Sequence, residues 1–98
     1  MNAARRKTLR AVNFVRLRAR INELKADLEV ARETIEQVRD EEQESYDNLP
    51  DVFHDGERGE AMNEAIEQME TLIDALEQVD ELDTLLDAID DFESNFAW

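Results

Sequence analysis

Cysteine is absent from this chain of 98 residues, so no disulfide framework and no thiolate metal site can organise it, which fits a reducing compartment. Proline and glycine are almost absent too. Pro50, Gly56, Gly59 and the only histidine, His54, all fall within one stretch, YDNLPDVFHDGERGE, at residues 46–60. Outside it nothing punctuates the chain, which leaves two long runs free to be helical. No apolar run approaches the ~20 residues a membrane-spanning helix requires, so no membrane insertion is expected. Basic residues are missing from the second half: residues 41–98 hold one Lys/Arg against twenty Asp/Glu. The length allows one domain, residues 1–98, with only a modest core.

What the runs contain is heptad spacing. Apolar residues recur at steps of three and four through Phe14, Leu17, Ile21, Leu24, Leu28, Ala31, Ile35 and Val38. Good helix formers separate them, so the pattern predicts a helix from about residue 4 to about residue 47. Asn48-Leu49-Pro50 stops it, because proline lacks an amide donor and disfavours helical geometry in the residue before it. After a loop at about 48–56, Asp55 or Gly56 is expected to cap a second helix over about 57–94, with Glu57 and Glu60 near its positive end. Its stripe is Met62, Ile66, Met69, Ile73, Leu76, Val79, Leu82, Leu86, Ile89, Phe92 and Phe96. The steps Leu76–Val79–Leu82 are both of three, and local strain is expected there.

Two such helices with a short connection predict an all-α fold, an antiparallel two-helix coiled-coil hairpin. Its expected core is Phe14, Leu17, Ile21, Leu24, Leu28, Ile35, Val38, Met62, Ile66, Met69, Ile73, Leu76, Leu86 and Ile89. Charge agrees: residues 1–40 carry net +4 and residues 41–98 net −19. Antiparallel packing would bring Arg16, Arg18 and Arg20 toward Asp87, Asp90 and Asp91. On a helical wheel Leu9, Val12, Val15 and Ala19 form a second face that a hairpin cannot also cover. With Phe92, Phe96 and Trp98 they are the expected oligomer interface of a homodimer, a four-helix bundle. The basic, acid-free first 22 residues could imitate a transit peptide or a membrane-surface helix; the apolar repeat that continues from them into the chain argues against a cleaved leader.

The connecting stretch gathers Asp47, Asp51, His54, Asp55 and Glu57, which raises metal binding. Read from Asp51 as a calcium loop, Asp55 and Gly56 fall correctly, but Phe53 takes the third place and Met62 the twelfth, where the bidentate carboxylate belongs. One histidine and no cysteine leave zinc without a ligand set. His54 is expected to face solvent. No nucleophile motif, phosphate loop or nucleotide fingerprint is present, so no enzyme activity, cofactor or metal is expected. Leu49, Val52 and Phe53 are expected to fold back near Tyr46 and Met62 as an apolar plug, with an exposed docking knob as the alternative.

The blocks RDEEQESYDNLP at 39–50 and ERGEAMNEAIEQME at 57–70 resemble a family of small acidic helical proteins of bacteriophages and prophages, over about half of the chain. In that family a serine helix cap stands before the ERGE-like block; here Gly56 does, which would leave capping to Asp55. The resemblance implies a non-enzymatic accessory protein in a bacterial cytoplasm that binds and blocks a host protein.

Three functions then compete. In the first, the acidic residues Glu60, Glu64, Glu67, Asp74, Glu77 and Glu81 contact a host protein, a defence or nucleic-acid-binding factor with a basic groove, in the limit as a DNA mimic. Fourteen Asp/Glu between residues 57 and 93 amount to one charge per ~4 Å of helix. Duplex DNA carries one per ~1.7 Å, so a single chain is too sparse, and a solvated acidic coat is the plainer account. In the second, the chain is a homo-oligomeric spacer or chaperone for a phage product. In the third, Arg5 to Arg20 bind nucleic acid directly, which the net charge of −15 disfavours.

Overall fold

A computed structural model describes residues 2–95, and they are almost all helical, with no strand among them. The helices are α1 (Ala3–Arg10), α2 (Phe14–Asp47), α3 (Asp51–His54), α4 (Glu57–Leu76) and α5 (Asp80–Asn95), with a 3₁₀ turn at Glu77–Val79. Two compact units form, Met1–Asp27 with Val79–Trp98, and Leu28–Gln78. No helix among the described residues is long and apolar enough to cross a membrane.

The helix expected over 4–47 is interrupted at residues 11–13. The reason is Asn13, whose side-chain Oδ1 accepts from the Arg16 amide at 3.0 Å and so opens a new helix, while the Val12 amide turns back to the Leu9 carbonyl at 3.0 Å. Asn2 begins α1 in the same way, accepting from the Arg5 amide at 2.9 Å. Removing a side-chain cap costs about 1 kcal/mol. Asn13→Ala is therefore expected to lower the unfolding midpoint by roughly 4–8 °C, read by circular dichroism. An unchanged midpoint would mean that the break owes nothing to this cap.

The 3–3 step meets a different fate from the strain expected of it. Glu77–Val79 winds as a 3₁₀ turn, which has three residues per turn, and Val79 is buried. The sequence irregularity is absorbed by a change of helix type.

In the unit of Met1–Asp27 with Val79–Trp98, α2 and α5 pair in opposite senses. Arg18 Nε lies 3.0 Å from Asp90 Oδ1, Arg18 also pairs with Glu93, and Lys25 Nζ lies 2.5 Å from Asp83 Oδ1. Phe14 packs on Phe92 with ring centroids 5.7 Å apart. Arg18 thus meets Asp90 as expected, but Arg16 and Arg20 make no ion pair among the described residues, and Asp87 and Asp91 are exposed.

The core is narrower than the apolar stripe. Ile21, Val79 and Ile89 are buried in this unit, Ile66 and Ile73 in the other. Phe14, Leu28, Ile35, Met62, Met69, Leu76 and Leu86 are half-buried. Leu17, Leu24 and Val38, expected in the core, are instead 43–49% exposed. The seam of α2 is turned by one residue, so that Arg18, Lys25, Arg32 and Arg39 are half-buried in their place. Long basic side chains can lay aliphatic stems along a seam and keep the charged head outside it. For Arg18 and Lys25 the acidic α5 supplies carboxylates to meet those heads.

Within Leu28–Gln78 the connection contains a helical turn rather than a plain loop. α2 ends where the Asn48 amide reaches the Glu44 carbonyl, and Pro50 (φ −56°) opens α3. His54, expected to face solvent, is half-buried: its ring stacks on Tyr46 at 4.6 Å, and its Nε2–H donates to the Tyr46 carbonyl at 3.0 Å. Asn63 of α4 donates to the Tyr46 hydroxyl at 3.2 Å. Tyr46 and His54 therefore do the closing work expected of Val52 and Phe53. Those two are 77% and 52% exposed, since α3 turns them outward, while Leu49 is half-buried. Asp55 ends α3, and Gly56 caps α4 with its backbone alone, with no side-chain capping bond.

Candidate interaction surfaces

Every residue of the expected acidic contact is exposed. Glu60, Glu64, Glu67 and Asp74 lie on α4 with Thr71 between them, at steps of four, three, four and three, which places all five on one face. That face is turned well over 100° from Ile66 and Ile73, the buried side of the helix. Glu77 stands in the 3₁₀ turn, and Glu81 lies in the first turn of α5 and belongs to the other unit.

The carboxylates of the chain divide by use. Asp83, Asp90 and Glu93 on α5 are held in ion pairs with α2, and Glu36 and Asp40 pair along α2. None of Glu60, Glu64, Glu67, Asp74, Glu77 and Glu81 has an ion pair among the described residues; Glu64 accepts only from Gln68, at 3.3 Å. The unit Leu28–Gln78 holds seventeen Asp/Glu and three Lys/Arg, net −14. Close like charges repel, so this surface favours a cationic neighbour.

Of the expected oligomer interface, Leu9, Val12 and Val15 line one open depression of about 410 Å³ together with Phe14 and Glu93. The break at residues 11–13 means they do not form a continuous helical face. Ala19 is exposed and not part of that depression, and Phe92 is occupied by Phe14. Phe96 and Trp98 lie outside the described residues.

Three features escaped the sequence reading. Leu72 and Leu85 are 47% and 46% exposed. Neither belongs to the heptad stripe of its helix, and an apolar residue off the stripe was the available signal. Gly59 is buried in the first turn of α4. A Cβ there would stand 2.5 Å from the Phe53 carbonyl oxygen and 2.6 Å from the His54 carbonyl carbon, with the His54 carbonyl oxygen closer still. Glycine inside a helix is costly unless something needs the space, and that was its signal.

No three His, Cys, Asp or Glu side chains among the described residues are grouped to hold a metal ion. In comparisons with known proteins the chain matches no family model, no curated protein and no solved structure.

Proposed function

We propose that this protein acts by binding rather than by catalysis, and that the acidic face of α4 contacts a basic surface of a host protein. One observation carries the reading: Asp83, Asp90 and Glu93 of α5 are held in internal ion pairs, whereas Glu60, Glu64, Glu67, Asp74 and Glu77 are exposed with no cationic partner among the described residues. The sequence resemblance to phage accessory proteins gives the setting, a bacterial cytoplasm, and a groove built for nucleic acid is the target that best fits a row of carboxylates. The antiparallel hairpin, its coiled-coil packing and a homodimeric four-helix bundle belong to the same proposal.

The test is affinity capture from bacterial lysate with the intact chain, at ~0.1 M and ~0.5 M salt, since exposed charge contacts are screened at the higher value. One nucleic-acid-binding protein retained at low salt, and weakened at least tenfold by the triple variant Glu64→Lys/Glu67→Lys/Asp74→Lys, is the expected result. A partner that ignores these reversals would overturn the acidic contact. Exposed leucines at the edges of the helix pairs favour a second reading, self-assembly as a spacer, which the reversals would leave intact.

A further inference from the structure

In the unit of Met1–Asp27 with Val79–Trp98 the two flanks of the helix pair differ. On α2 the residues order around the axis as Arg18, Lys25, Phe14, Ile21, Leu17 and Leu24; on α5 as Asp83, Asp90, Leu86, Glu93, Leu82, Ile89, Leu85 and Phe92. The ion pairs Arg18–Asp90 and Lys25–Asp83 fix the charged edge of each helix on a common flank. The opposite edges therefore share the other flank. It is apolar: Leu17, Leu24 and Leu85 are 43%, 49% and 46% exposed beside half-buried Phe92.

We infer that this flank, and not the Leu9/Val12/Val15 depression, is covered by a second copy of the chain, with α2 of each copy lying on α5 of the other. The inference rests on the dimer reading given above and places its surface. Charge selects the occupant. This unit holds eight Lys/Arg and nine Asp/Glu, so two copies of it meet without net repulsion, unlike the −14 of Leu28–Gln78. Charge selects the pairing as well. Outside the ion pairs made within one copy, α5 keeps Asp80, Glu81, Asp87 and Asp91 with no Lys/Arg, while on α2 up to residue 27 Arg16 and Arg20 balance Glu23 and Asp27. Placing α5 on α5 would oppose like charges; placing it on α2 sets it against a stretch whose unpaired charges balance.

A two-fold axis parallel to the helices produces that arrangement, and the bundle then has antiparallel neighbours on every side. Because Lys25 is level with Asp83 and Arg18 with Asp90 within one copy, the same operation sets Leu24 of each copy against Leu85 of the other, and Leu17 against Phe92. Area is sufficient. The 16 residues of α5 span about 24 Å. Two helices ~10 Å apart then present roughly 500 Å² per copy, about 1,000 Å² in total, the threshold for a specific interface.

The absence of native cysteine makes the test clean. The full-length wild type should show about twice its 11.4 kDa chain mass by light scattering at ~50 µM. Leu24→Glu and Leu85→Glu should each weaken association at least tenfold with helicity retained by circular dichroism, and Val15→Glu should leave it unchanged. Where a glutamate variant loses helicity, the alanine variant at the same position is read instead, with the same expectation. Leu24→Cys mixed with Leu85→Cys under mild oxidant should yield the mixed disulfide in at least tenfold excess over either homodisulfide. A Leu24→Cys homodisulfide as the main product would overturn the pairing. A dimer lost with Val15→Glu but kept with the Leu24 and Leu85 variants would overturn this surface and leave the dimer standing. A monomer at all concentrations would overturn both, without touching the acidic contact of α4.

Discussion

Gly59→Ala is expected to destabilise the protein by about 3 kcal/mol, the upper end of the usual cost of overpacking, because the atoms in the way are backbone. In an ordinary helix interior the same exchange stabilises by about 1 kcal/mol, so the sign itself is diagnostic. The new methyl would fall within bonding-like distance of the Phe53 and His54 peptide, and α3 would have to move away from α4. That movement would also loosen the stack of His54 on Tyr46. The melting temperature should fall by roughly 15 °C for a chain of this size. Gly56 is the internal control: a Cβ there meets only the Phe53 carbonyl oxygen, at 3.7 Å, an ordinary contact. Gly56→Ser should gain a few tenths of a kcal/mol by supplying the missing side-chain cap. A rise in melting temperature for Gly59→Ala would mean that α3 and α4 do not approach as described.

Ile73→Ala should cost about 3 kcal/mol, since Ile73 is only 3% exposed and the cavity left behind adds to the lost transfer energy. Val38→Ala removes a side chain that is 45% exposed, and should cost less than about 0.5 kcal/mol. Both positions belong to the heptad stripes, so sequence alone gives them equal weight. Urea midpoints measured at one protein concentration separate the two cases, and association is thereby held constant. Equal losses would restore Val38 to the core and refute the rotated seam of α2.

That rotation marks the limit of what spacing can say. A heptad pattern fixes which residues can share a face to within about one residue, or 100°. Leu17 and Leu24 differ from Arg18 and Lys25 by that single step. Which set enters the seam depends on what the opposing helix offers, and α5 offers Asp83, Asp90 and Glu93 where α2 brings Arg18 and Lys25. The exposed face of Glu60, Glu64, Glu67 and Asp74 was legible because it requires only helical periodicity. Val52 and Phe53 were misplaced because a four-residue helix, opened by Pro50, turns them outward, and no periodicity extends over so few residues.

The sequence by itself determined that the chain is helical, that α2 stops before Pro50, that the first half is basic and the second acidic, and that the 3–3 step at Leu76–Val79–Leu82 must be accommodated. These follow from local rules: propensity, proline geometry and charge counts. Only the tertiary structure decided that Asn13 breaks the first helix, that the 3–3 step becomes a 3₁₀ turn, that Gly59 makes room for α3, and that one flank of the α2–α5 pair is sealed by ions while the other stays apolar. Each of these depends on a competition between near-equal local options, and contacts distant in sequence decide it.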